Sequence, residues 1–257
     1  MYIRSITDAI KSVVPQTSFI SRTYHNSNLL LTAPHGGGAK PFYIRDRTTG
    51  IRIRDTYTRR LSDILVSLFN DKPSAILADI HRSKVDLNRN LMEATDGDTR
   101  AKAIWHDWND SIYNYKRNLL NTYNTGLMVD IHSHNNNDEF QLGYNLDVYN
   151  YNRLRNNKIA SVGSTFSTLN NGYSEYDMIF GRYSLGNSMH LSGYDIFRPR
   201  PGGETYFNGG YNIETYAGGG LGAVQIECPV SILEYDLQGV AYALYNSIEI
   251  FIHEFVR

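Results

Sequence analysis

Four short apolar runs, at residues 29–32, 75–80, 127–129 and 223–226, constrain this chain more than anything else in it. Each is too short for a helix and, Asp79 and Gln225 aside, carries almost nothing polar. Such runs read as strands covered on both faces. Helical patterns lie between and after them. Leu61, Ile64, Leu65, Leu68 and Phe69 form one apolar face, and Ile104, Trp105, Trp108, Ile112, Tyr115 and Leu119 a second. Leu237, Val240, Ala241, Leu244, Ile248, Phe251, Ile252 and Phe255 form a closing third. Strands that alternate with helices in this way imply the α/β class: a three-layer α/β/α sandwich with a mostly parallel or mixed central sheet. The order of the strands stays open. Residues 17–32 read as two short strands around the turn His25-Asn26-Ser27. The polar stretch 135–222, rich in Tyr, Asn and Gly, is expected to be mainly long loops.

Length and charge remove whole classes of function. A chain of 257 residues fits one large domain or two small ones. With no Pro/Ser-rich linker and no internal repeat, a single domain, residues 1–257, is expected. At this length a fold buries about 70–75% of its unfolded surface without staples. The 25 Lys and Arg nearly balance 26 Asp and Glu. A nucleic-acid binder would show a strong basic excess, so no nucleic-acid partner is expected. The arginines between residues 45 and 60 are interrupted by Asp46 and Asp55 and read as a solvated, partly edge-strand segment. Cys228 is alone, which excludes an internal disulfide and a cysteine-rich metal cluster. No run approaches the roughly 18–20 apolar residues of a membrane span. Arg4, Asp8 and Lys11 interrupt the N-terminal apolar stretch, unlike a secretory signal, so a cytoplasmic location is expected.

The chemistry is concentrated just after the strands. The first run leads into Ala33-Pro34-His35-Gly36-Gly37-Gly38, the second into His81-Arg82 and Asp86-Leu87-Asn88-Arg89, the third into Asp130-Ile131-His132-Ser133-His134, and the fourth into Glu227. Open α/β sheets bind ligands outside the carboxyl ends of their strands. If the strands are parallel neighbours, two imidazoles, a guanidinium and a carboxylate converge. Catalytic zinc takes three protein ligands, often two His and a carboxylate, and keeps a position for water. His35 and His132 supply the imidazoles. Glu227 has the makings of a general base, an Arg aimed at the developing oxyanion could stabilise it, and a second Arg beside an Asn could hold a substrate carboxylate. Each residue also has a plainer reading. His35 could be a loop residue, Asp130 and His132 a buried pair, and Asp86 with Arg89 a structural salt bridge. His25, His106, His190 and His253 lack partners at ligand spacing and read as structural, as does Cys228.

In order, six blocks resemble the N-formylglutamate amidohydrolase family, a relative of the zinc carboxypeptidases. They are Ala33-Pro34-His35-Gly36-Gly37; Asp55, Thr58 and Leu61; His81-Arg82 with Val85-Asp86-Leu87-Asn88-Arg89; Val129 to Ser133; and Gly209-Gly210-Tyr211 with Tyr216, followed by Val224-Gln225-Ile226-Glu227. The resemblance implies the carboxypeptidase-like α/β/α sandwich and cleavage of an amide bond beside a carboxylate. It implies one Zn2+ per chain on His35 and His132, Glu227 as general base and Arg82 at the scissile carbonyl. Asn88 and Arg89 would grip the substrate carboxylate, with Ser133 close by. The substrate would be a small N-acyl amino acid or a short peptide with a free carboxylate. One departure stands out: carboxypeptidases place an acidic ligand a few residues after the first His, and here that stretch is Gly36-Gly37-Gly38-Ala39-Lys40. Asp55 is taken as the third ligand, ahead of Asp46 and His134. A carboxypeptidase-like peptidase, acting for instance on γ-glutamyl or cell-wall peptides, and a non-catalytic binding protein are the alternative readings.

Overall fold

The computed structural model describes residues 18–169, 172–203 and 205–256; the N-terminal stretch bearing Arg4, Asp8 and Lys11 lies outside them. The apolar runs form strands β2 (Leu29–Ala33), β3 (Ser74–Ala78), β4 (Gly126–His134) and β6 (Leu221–Pro229). Short edge strands β1 (Ile20–Thr23) and β5 (Gln141–Gly143) complete a six-stranded sheet in the order β1-β3-β2-β4-β6-β5. The four inner strands are parallel and the two edges antiparallel, so the sheet is mixed.

Alternation along each inner strand feeds two separate apolar layers. Leu29, Leu31, Val129, Ile131, Val224 and Ile226 pack against α1 (Thr58–Leu68) and the long α8 (Val230–Phe255). Leu30, Met128 and Ala223 pack on the other face against Trp108, Ile112 and Leu119 of α3 (Thr99–Tyr123), which follows the short α2 (Leu91–Thr95). With both faces covered, no strand can show the polar alternation of a half-exposed sheet, which is why the runs read as continuous. Helix α8 carries a kink at Asp236, where the backbone leaves helical angles. Among the described residues no helix is long and apolar enough to cross a membrane.

The stretch 135–222 is largely loop, as expected, interrupted by β5 and four short helices, α4 (Val148–Asn157), α5 (Glu175–Phe180), α6 (Leu185–Leu191) and α7 (Tyr211–Tyr216). Three of these are started by side-chain caps from Asp147, Ser174 and Ser184, so local capping substitutes for a long apolar face. One expectation needs correction: the basic segment between residues 45 and 60 contains no strand and ends in the first turn of α1. Its Arg47 is also not solvated but 3% exposed, its guanidinium 3.4 Å from the Asp86 carboxylate.

Candidate metal centre

Strand order places the site. From β2 the chain steps to β3 on one side, and β4 and β6 extend the sheet on the other, so the direction of winding reverses between β2 and β4. A crevice opens at the carboxyl ends of strands at such a switch point. His35 follows β2 and His132 lies near the end of β4, one on each side of it. β4 does not end at Val129 as the apolar run suggests. It continues through His134, and its alternate residues Asp130 and His132 project on the same face as Gln225 and Glu227 of β6, their register partners.

The loop between β2 and α1 brings in the third member. The Asp55 amide donates to the His35 carbonyl at 3.0 Å, which closes residues 35–55 into a loop pinned at its neck. The glycines after His35 permit the close passage. A Cβ on Gly37 would lie 2.3 Å from the Ile80 carbonyl oxygen, and one on Gly36 would lie 2.7 Å from the Arg59 amide. Asp55 opens α1 in sequence, but its carboxylate turns away from the helix end. Oδ2 lies 3.0 Å from His132 Nδ1 and 3.4 Å from His35 Nδ1.

His35 Nδ1 and His132 Nδ1 are themselves 3.2 Å apart. Each ring's other nitrogen meets a carboxylate: His35 Nε2 is 2.6 Å from Asp86 Oδ1, and His132 Nε2 is 3.0 Å from Asp130 Oδ2. A carboxylate at Nε2 calls for the N–H there, which leaves the Nδ1 lone pairs facing inward beside Asp55. Metal-ligating histidines are oriented by this arrangement. Tetrahedral zinc with bonds of about 2.0–2.1 Å separates its ligand atoms by about 3.3 Å, close to the three distances here. His35, Asp55 and His132 are all buried and form a group able to hold a metal ion.

The surrounding charges agree with a cation. The buried carboxyl groups of Asp55, Asp86, Asp130 and Glu227 outnumber the buried guanidinium groups of Arg47 and Arg82. Burial pushes the Asp55 carboxyl up, but the two imidazoles beside it outweigh that and hold it well below the usual carboxylate range. Asp86 is likewise lowered against its burial, by His35, Arg82 and Arg47. Burial disfavours a charged His132, and Asp130, Asp55 and Glu227 overcome it, raising its pKa well above the ordinary imidazole value. Glu227 differs: burial dominates and raises it to about 7.

The remaining residues singled out from the sequence fall as follows. Glu227 Oε1 is 4.0 Å from His132 Nδ1 and accepts a hydrogen bond from Gln225 Nε2 at 2.8 Å. Arg82 bridges two acids, with Nε 3.0 Å from Asp86 and Nη1 3.2 Å from Asp55. Asn88 is buried, with Nδ2 3.4 Å from His132 Nε2 and Oδ1 accepting from the Asn212 amide at 2.8 Å. Arg89 is half-buried and donates to the Asn88 carbonyl at 2.8 Å, so Asp86 pairs with His35, Arg82 and Arg47 in place of a salt bridge to Arg89. Ser133 donates its amide to Asp55 Oδ2 at 3.3 Å and its hydroxyl to the Thr56 carbonyl at 3.0 Å. The other third-ligand candidates lie elsewhere. Asp46 is 61% exposed and paired with Lys84, and His134 has Nε2 at the Glu139 carbonyl with Nδ1 accepting from the Asn136 amide. Sequence reasoning passed over Arg47 and Asn212. Asn212 Nδ2 donates to Asp130 at 3.3 Å, and its position in the block beginning Gly209-Gly210 was the available signal.

A mixed sheet between two helical layers, with its polar residues gathered at the switch point, defines a three-layer α/β/α sandwich. No family model matches the chain, and no curated protein matches it in sequence. Solved structures share its fold. N-formylglutamate amidohydrolase from Ralstonia eutropha JMP134 has a TM-score of 0.61 and 13% identity, over 93% of this chain and 99% of that one. Gene product Atu2144 from Agrobacterium tumefaciens has the same TM-score and identity, over 92% and 94%. The chain therefore has the fold of N-formylglutamate amidohydrolase.

Proposed function

We propose that this protein is a zinc-dependent amidohydrolase, a single catalytic domain that cuts an amide bond next to a carboxylate in small N-acyl amino acids or short peptides. The observation that carries this reading is the inward-facing triad of His35 Nδ1, His132 Nδ1 and Asp55 Oδ2, each imidazole backed by its own carboxylate. Two imidazoles and one carboxylate suit zinc among the common divalent ions. The shared fold with an amidohydrolase supports the same class of reaction.

His35, Asp55 and His132 would hold the zinc, which would supply Lewis acidity toward water and the carbonyl that is attacked. Glu227 takes the proton of the attacking water and delivers it to the leaving amine; a buried carboxyl with a pKa near neutrality can do both. Gln225 keeps the Glu227 carboxylate in one orientation through its 2.8 Å hydrogen bond. Arg82, aimed by Asp86, bears on the charge that develops on the carbonyl oxygen. Asn88 and Arg89 hold the substrate carboxylate, and Ser133 fixes Asp55 from the β4 side.

The test is turnover of a panel of N-formyl, N-acetyl and dipeptide substrates before and after removal of metal with a chelator. Hydrolysis that disappears on chelation and returns with zinc is the expected result. Turnover indifferent to chelation, or none on any member by the zinc-loaded protein, would refute the proposal.

A further inference from the structure

β5 pairs antiparallel with β6 in a register that sets Gln141 directly opposite Glu227. Residues opposed in this way project from the same face, with Cβ atoms about 4.5–5.5 Å apart. Gln141 is completely buried. Its Oε1 accepts from the Phe207 amide at 3.0 Å, and this settles which end of the side chain is which. The donor is backbone and is itself held firmly. A Cβ on Gly143, two residues on, would lie 2.4 Å from the Gly209 amide, and the Asn145 amide donates to the Asn208 carbonyl at 2.6 Å. The other end, Nε2, is buried and has no hydrogen-bond partner among the described residues. Buried donors are nearly always partnered in folded proteins, and an exception calls for a cause.

Across the sheet the order is β2, β4, β6, β5, so the His35–His132 pair lies on one side of Glu227 and Gln141 on the other. A substrate whose scissile amide lies between the metal ligands and Glu227 extends past Glu227 toward this unpartnered N–H. We infer that Gln141 is a specificity-determining residue. Its Nε2 donates to a carbonyl, carboxamide or carboxylate oxygen of the substrate on the β5 side of the scissile bond. The inference rests on the hydrolase reading above and adds a requirement to it: the substrate carries an acceptor oxygen beyond the amide that is cut.

Two substitutions separate recognition from support of the fold. Gln141→Glu keeps an oxygen for the Phe207 amide and replaces the donor with a second oxygen. Gln141→Met removes both at similar length. Kinetics of the zinc-loaded protein use probes differing by one acceptor group: N-formyl-L-glutamine against N-formyl-L-norleucine, and N-succinyl-L-alanine against N-pentanoyl-L-alanine. Wild type should prefer the acceptor-bearing member of at least one pair by about tenfold or more in kcat/KM. Both variants should lose that preference through KM, with the apolar member changed less than about threefold. Equal losses on both members together with a lowered melting temperature would mean a structural residue and overturn the inference. So would a preference that survives both substitutions, or a wild type that shows none. Wild type inactive on all four probes would instead refute the hydrolase reading, and the inference with it.

Discussion

His35 and His132 turn their Nδ1 atoms toward each other at 3.2 Å while their Nε2 atoms engage Asp86 and Asp130. Two lone pairs at that separation, with the Asp55 carboxylate against both, repel unless something positive is shared among them. Without metal that role falls to a proton, in keeping with the raised pKa of His132. Metal and proton therefore compete for the same atoms.

The backing carboxylates follow directly. Asp130→Asn and Asp86→Asn keep size but give up the charge that orients each imidazole. Each should weaken zinc affinity by about 10–100-fold, measured by competition with a chromophoric chelator. An unchanged affinity in both would mean that the carboxylates only balance charge.

Glu227→Gln should retain metal at the wild-type level and lose about 10²–10⁴ in kcat, the usual range for removal of a general acid–base. Zinc analysis alongside steady-state kinetics checks both halves. Retained turnover would remove Glu227 from proton transfer.

Arg89→Ala should raise KM for substrates with a free carboxylate and leave their methyl esters nearly unchanged. Because Arg89 also donates to the Asn88 carbonyl, circular dichroism should accompany the kinetics. Equal effects on acid and ester would assign Arg89 to holding the loop.

Away from the site, Glu175 gives a pH signature. It is 2% exposed and accepts from the Ser161 hydroxyl, from the Gly163 amide at 3.2 Å and from the Ser164 amide at 2.7 Å. Burial opposes its charge, but these hydrogen bonds win and lower its pKa. A lowered folded-state pKa adds stability that is complete above the unfolded value of about 4.3 and lost as pH falls through the folded value. Glu175→Gln should lower the melting temperature at pH 7 by several degrees, at about 2–4 °C per kcal/mol for a domain of this size. The gap from wild type should narrow below pH 4, and a gap independent of pH would contradict the assignment.

The inner strands and the long helices were legible because burial on both faces leaves apolar runs, and helices α1, α3 and α8 are long enough to show their period. His35 and His132 stand out by residue type and by their place after the strands, Asp55 through the family resemblance, and the structure brings the three together. The extent of β4 was not legible: Asp130, His132 and His134 alternate with period two, yet a polar face at a buried site looks like a loop. The helices within 135–222 are too short to reveal a face. Arg47 depends on Asp86 and Gln141 on Phe207, contacts that no local pattern encodes.

The most direct measurement is metal content by elemental mass spectrometry on wild type, His132→Ala and Asp55→Ala, each confirmed folded. The account predicts close to one zinc per wild-type chain after reconstitution and loss of it in both variants. Wild type that binds no metal, or both variants retaining it at full stoichiometry, would contradict the account.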